Sequence, residues 1–346
     1  MARKIENTLY VTKNEAYVKK KQDIIIVEIK QEEALRIPGH HLGNILLFER
    51  AGISHQALKW CANNEVSVAR IDRNGKFIGR WVGPVSGNVM LRLDQFKIYD
   101  NKNKKFRAKI ARNFVKGKLY NSRSMLQRSA RDIENKDSEE NLRKAAEDIK
   151  KLITKLDDTC VLEEIRGFEG RAANIYFSCV NDMILKNSNK FNFTGRSKRP
   201  PKDKVNAMFS YLYVILLNDC CSALESIGLD PQIGYLHDVR PGKPSLALDL
   251  MEELRPVMAE RVVLTLINRE QVKASDFEEK TGGAVLMTEE CRKLLIKMYQ
   301  EKKQEEITHT FHERKVPYGL IPYLQARLLA RSIRGETEEY YPFLYE

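Results

Sequence analysis

The sequence predicts an α+β fold, with a β-sandwich-like domain over residues 1–86 followed by a larger all-α domain over residues 87–346. Short β-branched runs bounded by polar, Gly or Pro residues fill the first part of the chain, and this pattern is typical of strands. The turn-rich segment 83–88 closes that part, and apolar residues recur with helical spacing from about Met90 onward. A chain of 346 residues is long enough for two domains, each with its own core.

The predicted β-domain consists of short strands and one helix. Strands are predicted at residues 8–11, 24–29, 45–48, 66–71 and 77–82. Asn74-Gly75, between the last two, is a strong signal for a two-residue hairpin. Residues 55–63 are predicted to form a short helix.

The charge balance indicates a polyanionic partner. The chain has 59 Lys and Arg against 47 Asp and Glu, a formal net charge of +12, which favours nucleic acid over a membrane surface. Its 6 cysteines form no C-x-x-C pair or disulfide rhythm, and we find no signal peptide or apolar run long enough to span a bilayer. We therefore expect a cytoplasmic protein with no membrane partner.

Residues 235–256 carry the first candidate site. His237 precedes a Pro/Gly turn, and a helix is predicted to begin at Ser245, whose side chain suits the N-cap position. Leucines occupy one face of this helix and a row of acids, Asp249, Glu252 and Glu253, occupies the other. The residues alone fit either a solvated acidic face beside a loop histidine or part of a site.

A second acid stands on the wrong face of its helix. In the helix predicted at 161–177, Glu169 lies in the middle of the apolar stripe, between Gly167 and Gly170. A carboxylate there costs several kcal/mol unless a cation, hydrogen bonds or a proton compensates it. Two interpretations remain open, a buried Glu–Arg pair and a metal ligand, and the second is favoured. The two glycines would let a backbone, phosphate or ligand approach.

Three further segments each fit either a functional role or a role that is only structural. The basic loop at 193–204 fits either a solvated connector or a phosphate-neutralising loop beside the site. The helical stripe Arg327, Arg331 and Arg334 fits a solvated face or a phosphate contact. The acidic, aromatic tail at 338–346 fits a partner-docking segment or a frayed end. A metal shared by His309 and His312 is disfavoured, since only Glu313 accompanies them.

The motifs now resemble a known family. They are NTLYV at 7–11, RGFEG at 166–170, NFTGRSKRPP at 192–201, LH at 236–237, LDLMEELRP at 248–256, QAR at 325–327 and RG at 334–335. In order and spacing they resemble the CRISPR-associated integrase of spacer acquisition, the universal adaptation endonuclease, with the closest likeness to its type I-C branch. The resemblance spans nearly the whole chain and implies an N-terminal β-domain followed by an α-helical catalytic domain.

The resemblance also implies a set of site residues. The family's divalent-metal ligands fall on Glu169, His237 and Glu252, and a further acid near the metal falls on Asp249. Glu253 is then expected to face solvent. Two carboxylates and an imidazole suit Mn²⁺ or Mg²⁺ better than structural zinc, which favours thiolates. We assign DNA contacts to the following basic residues: Arg196, Lys198, Arg199, Arg240 and Lys243.

The expected function is the insertion of foreign DNA fragments as spacers into a CRISPR array by 3′-hydroxyl transesterification. The expected partners are double-stranded and branched DNA (a prespacer and the CRISPR repeat–leader), a second copy of the chain in a homodimer, and the small ferredoxin-like CRISPR adaptation nuclease. Two alternatives compete with this function. One is a structure-selective nuclease of branched DNA in repair, and the other is a non-catalytic basic nucleic-acid scaffold in which Glu169 forms a structural ion pair.

Overall fold

A computed structural model divides the chain into two compact units, residues 1–87 and 88–346. It describes residues 7–72, 77–81, 83, 89–101, 104–186, 189–197 and 200–345. The predicted hairpin turn Asn74-Gly75 and residues 84–88 of the predicted domain boundary lie outside the described residues.

The N-terminal unit contains two four-stranded sheets and one helix within its described residues. One sheet has the order β1-β5-β7-β8, with β8 antiparallel and the others parallel. The second has the order β4-β3-β2-β6. The elements are β1 (Asn7–Val11), β2 (Ala16–Lys21), β3 (Ile24–Ile29), β4 (Glu32–Pro38), β5 (Leu42–Phe48), β6 (Gly52–Ile53), α1 (His55–Asn63), β7 (Ser67–Ile71) and β8 (Phe77–Trp81).

Both sheets contribute to one apolar core in this unit. Val18 of β2, Ile25 of β3 and Ile45 of β5 are all fully buried in it. Helix α1 covers this core with Ala57 and Cys61. It begins after Ser54, whose Oγ accepts a hydrogen bond from the Ala57 N–H at 3.2 Å. The strands and the helix predicted here are therefore confirmed.

The C-terminal unit is mainly helical. Its helices are α2 (Val89–Asp100), α3 (Lys105–Asp132), α4 (Lys136–Asp157), α5 (Leu162–Ser178), α6 (Lys204–Ile227), α7 (Ser245–Glu252), α8 (Arg261–Asn268), α9 (Glu289–Gln304) and α10 (Ile321–Ile333). A π-helical turn, Arg255–Glu260, follows α7 and leads into α8. The α+β class is confirmed.

The C-terminal unit also contains two antiparallel ribbons that the all-α prediction did not include. They pair β9 (Phe277–Lys280) with β10 (Ala284–Met287), and β11 (Glu306–His309) with β12 (Arg314–Pro317). Each strand has four residues, too few to show an alternating pattern in the sequence.

Helix α6 is the core of this unit. It begins after Asp203, whose side chain accepts from the Asn206 N–H at 2.7 Å, and ends at Gly228 with a left-handed φ of 94°. By length and composition alone α6 could cross a membrane, contrary to the expectation that no such run exists, but 78% of its most apolar window is buried inside the protein. We interpret it as a core helix.

The C-terminal tail packs on the helical unit and is not frayed. Tyr340 and Phe343 are fully buried. Asn113 of α3 donates to the Tyr340 carbonyl at 2.6 Å, while Asn121 donates to the Phe343 carbonyl at 3.0 Å and accepts from the Tyr345 N–H at 2.7 Å. These bonds pair the tail backbone with α3 side chains, so the tail forms part of the folded unit.

His309 connects β11 to α10 through a contact with Gln325. Its Nε2 lies 2.9 Å from Oε1 of Gln325, and its Nδ1 is buried with no hydrogen-bond partner among the described residues. Because the Gln325 amide nitrogen donates elsewhere, Nε2 of the histidine carries the proton and donates. Burial lowers the pKa of His309 to about 4.

This depressed pKa predicts acid sensitivity. His309 binds fewer protons in the folded state than in the unfolded state between about pH 6.5 and pH 4, so its contribution to stability is present above that window and lost as the pH falls through it. A His309→Gln variant keeps a donor but does not titrate. We expect wild type to lose up to about 3 kcal/mol relative to this variant across the window. Thermal unfolding at stepped pH measures it, with exposed His55→Gln as control; parallel curves for wild type and His309→Gln would contradict the assignment.

Candidate metal centre

Helix α7 and the residue that follows it carry three buried acids. Asp249, Glu252 and Glu253 are 0%, 2% and 0% exposed, so the solvated acidic face is excluded and the expectation that Glu253 faces solvent is wrong. Ser245 does not act as the N-cap either, because its hydroxyl donates to the Asp238 carbonyl at 2.8 Å. Each buried acid has a different set of partners.

Asp249 holds the loop that carries His237. Its carboxylate accepts from the backbone N–H groups of Tyr235, Leu236 and His237 at 2.6, 3.0 and 2.9 Å. Oδ1 also lies 2.7 Å from Nδ1 of the His237 ring. Since an ionised carboxylate only accepts, Nδ1 carries the proton and Nε2 remains available as a ligand atom. The contacts assign Asp249 to orienting His237, while its role as a direct metal ligand stays a prediction.

Arginine side chains fix the same loop from two other helices. Arg166 of α5 donates to the Leu236 carbonyl at 2.9 and 2.6 Å and to Asp238 at 2.5 Å. Arg107 of α3 donates to the Tyr235 carbonyl at 3.1 Å. The loop is therefore held on both sides of His237 before any ligand binds.

Glu252 faces His237 and two cations. Its Oε1 lies 3.8 Å from His237 Nε2 and 2.9 Å from Nη1 of Arg255, one turn further along the chain. Its Oε2 lies 2.7 Å from Nζ of Lys118, outside hydrogen-bond geometry, and has no hydrogen-bond donor among the described residues. Burial alone would raise the pKa of Glu252, but the charges of Arg255 and Lys118 hold it well below its usual range. Glu252 is therefore an ionised, buried carboxylate.

Glu169 reaches the same cation from α5. Its Oε1 forms a short ion pair with Lys118 Nζ, and its side chain is 28% exposed. Glu169 therefore lies on the face of α5 that points toward the body of the unit, as predicted, although its side chain is only partly buried. The compensating cation is a lysine of α3 rather than the arginine of the alternative interpretation.

Lys118 and Arg255 also belong to this site and were not predicted from the sequence. Lys118 lies in the middle of α3, with a side chain only 10% exposed and carboxylates on two sides. Burial would lower its pKa, but Glu252 and Glu169 raise it, so it is held as an ammonium. A lysine on the apolar face of α3 was the available signal, but the density of other basic residues in that helix obscured it.

Gly117 allows α3 to approach α7 closely enough for these contacts. A Cβ at this position would lie 2.9 Å from Cβ of Glu253 and 2.9 Å from Cβ of Pro342. Glu253 itself accepts from the Tyr340 hydroxyl at 2.5 Å, the Gln325 amide at 3.1 Å and the Phe343 N–H at 3.0 Å. The tail and α10 therefore hold α7 from one side while α3 holds it from the other.

The side chains of Glu169, His237 and Glu252 are of the types that bind a divalent cation, although they do not all face one common point. Among residues within the described ranges, no three His, Cys, Asp or Glu side chains are grouped to hold a metal ion. The reason is visible in the contacts, since Lys118 stands between Glu169 and Glu252. The carboxylates of Glu252 and Glu169 and the Nε2 of His237 are ligands of the kind that Mg²⁺ and Mn²⁺ accept.

The predicted DNA contacts divide into three groups. Lys198 and Arg199 lie outside the described residues. The Arg196 guanidinium is used internally, donating to Asn206 at 2.7 Å and to Ser210 at 3.2 Å, which leaves it poorly placed for DNA. Arg240 is exposed and Lys243 is half-buried, both in the turn after His237, so these two can reach a bound ligand.

A cavity of about 470 Å³ lies beside the C-terminal half of α10. It is lined by Ile227, Arg327, Ala330, Arg331, Arg334 and Glu336. Arg334 and Arg331 approach Glu336 at 2.5 and 3.4 Å, so one carboxylate faces this arginine stripe. The stripe predicted from the sequence is therefore confirmed as a basic surface, and its role as a phosphate contact stays a prediction.

Comparison with known proteins gives consistent matches along the chain. The family model described as CRISPR associated protein Cas1 matches residues 9–301. CRISPR-associated endonuclease Cas1 1 of Moorella thermoacetica is 44% identical, over 98% of each chain. The protein of the same name from Chlorobaculum tepidum is 43% identical, also over 98% of each chain.

Solved structures share the fold. A Cas1 protein from Thermotoga maritima matches with a TM-score of 0.80 at 23% identity, over 98% of this chain and 100% of that one. A casposase bound to an integration product matches with a TM-score of 0.82 at 22% identity, over 98% and 94%. A chain of a Cas6-RT-Cas1–Cas2 complex matches with a TM-score of 0.80 at 21% identity, over 99% of this chain and 36% of that one.

The close approach at Gly117 predicts a position-specific cost. We expect Gly117→Ala to lower the free energy of unfolding by about 1–3 kcal/mol, since Glu253 and Pro342 must shift and Ala favours a helix by only about 0.5–1 kcal/mol. The matched control is Gly167→Ala in α5, where an added Cβ meets nothing within 4 Å. The control should be neutral or stabilising by about 0.5–1 kcal/mol. Chemical denaturation measures both, and equal effects would contradict the tight packing.

Proposed function

The chain belongs to the Cas1 family of CRISPR-associated proteins, and from this membership and the site we propose that it is a divalent-metal-dependent DNA endonuclease and integrase. On this proposal it inserts foreign DNA fragments as spacers into a CRISPR array by transesterification with a DNA 3′-hydroxyl. The type I-C branch stays a prediction from the sequence motifs.

One observation carries the proposal, namely an oriented histidine facing a buried, ionised glutamate. His237 Nδ1 is held by Asp249, and its Nε2 lies 3.8 Å from Glu252 Oε1. A histidine that donates one ring nitrogen to a carboxylate and presents the other is the usual arrangement of a metal ligand. Nothing in a purely structural ion pair requires this orientation, so the geometry favours a catalytic site over a basic scaffold.

The roles of the residues follow from these contacts. Glu169, His237 and Glu252 would hold Mn²⁺ or Mg²⁺, and Asp249 would keep the imidazole in the ligating tautomer. When bound, such an ion polarises a phosphodiester and stabilises the charge that develops during attack by a 3′-hydroxyl or by water. Arg240 and Lys243, in the turn beside His237, would neutralise the DNA backbone near the site.

The proposed partners are branched and double-stranded DNA, a second copy of the chain, and a second CRISPR adaptation protein that the sequence leads us to expect to be the small ferredoxin-like nuclease. The net charge of +12 supports a nucleic-acid partner. The fold neighbours include a casposase bound to an integration product and a Cas6-RT-Cas1–Cas2 complex, which supports testing these partners first.

Substitutions at the site give the first functional prediction. We expect Glu169→Gln, His237→Ala and Glu252→Gln each to reduce Mn²⁺-dependent strand transfer of a prespacer by at least about 10²-fold, since each removes a charge-stabilising ligand. DNA affinity, measured by fluorescence anisotropy, should change by less than about threefold. Exposed Glu163→Gln on the same helix is the control and should behave as wild type.

Particular results decide between the proposal and its alternatives. Strand transfer at the wild-type rate by any of the three variants would remove that residue from the site. DNA transactions unchanged by EDTA would favour the non-catalytic scaffold. Equal cleavage of forked repair substrates with and without the second adaptation protein, and no integration, would favour the structure-selective nuclease.

The turn after His237 gives the second functional prediction. The double variant Arg240→Ala/Lys243→Ala should weaken DNA binding for every sequence tested and lower the slope of log K against log salt by about 2, because two phosphate contacts are lost. The matched control is Lys150→Ala/Lys151→Ala, two exposed lysines of α4. Anisotropy titrations over a salt series measure both, and equal slopes for the two double variants would place the DNA elsewhere.

A further inference from the structure

Lys118 is a buried cation in the middle of the candidate metal centre. It comes from α3, whereas the carboxylates it contacts come from α5 and α7. Its side chain is 10% exposed, so solvent does not compete for these contacts. The lysine thus joins three helices and lies between the carboxylates of Glu169 and Glu252.

The Lys118 ammonium occupies the position between Glu169 and Glu252 at which both carboxylates would bind one metal ion. Nζ forms a short ion pair with Oε1 of Glu169 and lies 2.7 Å from Oε2 of Glu252. The Lys118 ammonium therefore contacts the same two carboxylates that would bind a divalent ion. Arg255 already compensates the other oxygen of Glu252, at 2.9 Å, so Glu252 keeps a counter-charge if the lysine leaves.

We propose that Lys118 is the resident counter-ion of the metal-free centre and that a divalent cation must displace it from Glu169 and Glu252. This inference rests on the metal dependence proposed above. The lysine keeps the two carboxylates together and compensated when no metal is bound, which avoids leaving uncompensated charges in a partly buried site. The same ammonium repels a divalent ion, so it weakens metal binding while it stabilises the metal-free state.

The approach of the two helices makes this arrangement specific to position 118. Gly117, the preceding residue, brings α3 against Glu253 at the C-terminal end of α7, and the side chain of Lys118 then lies beside Glu252. Lys116, two residues earlier on α3, instead pairs with Asp157 at 2.8 Å and is 34% exposed. Lys116 is therefore a matched control, a lysine of the same helix in an ion pair remote from the centre.

The test measures Mn²⁺ binding directly, by isothermal titration calorimetry, and thermal unfolding with and without Mn²⁺. We expect Lys118→Met to bind Mn²⁺ at least about tenfold more tightly than wild type, because the competing ammonium is gone. Metal-free Lys118→Met should unfold at a lower temperature than wild type, and saturating Mn²⁺ should recover most of that difference. Lys118→Arg, which keeps the positive charge, and Lys116→Met should bind Mn²⁺ as wild type does.

The outcomes separate this inference from the metal proposal. Wild type that binds Mn²⁺, with equal or weaker binding by Lys118→Met, would overturn the displacement and show that the lysine supports the bound metal. If neither protein binds Mn²⁺, and His237→Ala behaves identically to both, the metal proposal fails together with the displacement. Folding is monitored by circular dichroism, and Lys118→Gln serves as the second neutral variant if Lys118→Met is unfolded.

Discussion

The structure of the helical unit depends on compensating three acids that are buried along α7 and at its C-terminal end. Asp249 accepts from three backbone N–H groups and the imidazole of His237. Glu252 faces Lys118 and Arg255, and Glu253 accepts from the tail and α10. Each carboxylate would otherwise cost several kcal/mol in this environment. Because their partners come from five different segments, the packing of the unit is largely fixed around this short helix.

The compensation of Glu253 explains why the C-terminal tail belongs to the fold. Burial raises the pKa of Glu253 to about 8, against hydrogen bonds from Tyr340, Phe343 and Gln325 that lower it. The same tail segment is paired with Asn113 and Asn121 of α3. Glu253 follows the proposed ligand Glu252 in the sequence and contacts the tail. The packing of the tail and the position of Glu252 therefore depend on the same contacts.

The preorganisation of the site differs between its two halves. The His237 loop is fully held, by Asp249 from within and by Arg166 and Arg107 from neighbouring helices. Glu169, by contrast, is partly exposed and paired only through Lys118 among the contacts described above. The His237 imidazole is therefore held by more contacts than the Glu169 carboxylate is.

Periodicity and motif spacing are local properties of the chain, so they predicted the helices, the α+β class, the family, and the candidates Glu169, His237 and Glu252. They did not predict the two short ribbons of the C-terminal unit. The sequence also identified Glu169 as misplaced on an apolar face. No local pattern specified which cation compensates Glu169, that Glu253 is buried or that Arg196 is used internally, because these follow from how the helices pack. Lys118 lies 51 residues from Glu169 in the chain, and no periodicity within either helix specifies which helices meet. A charge on the apolar face of a helix indicates that a compensating group is needed, but the identity of that group depends on which helices pack together.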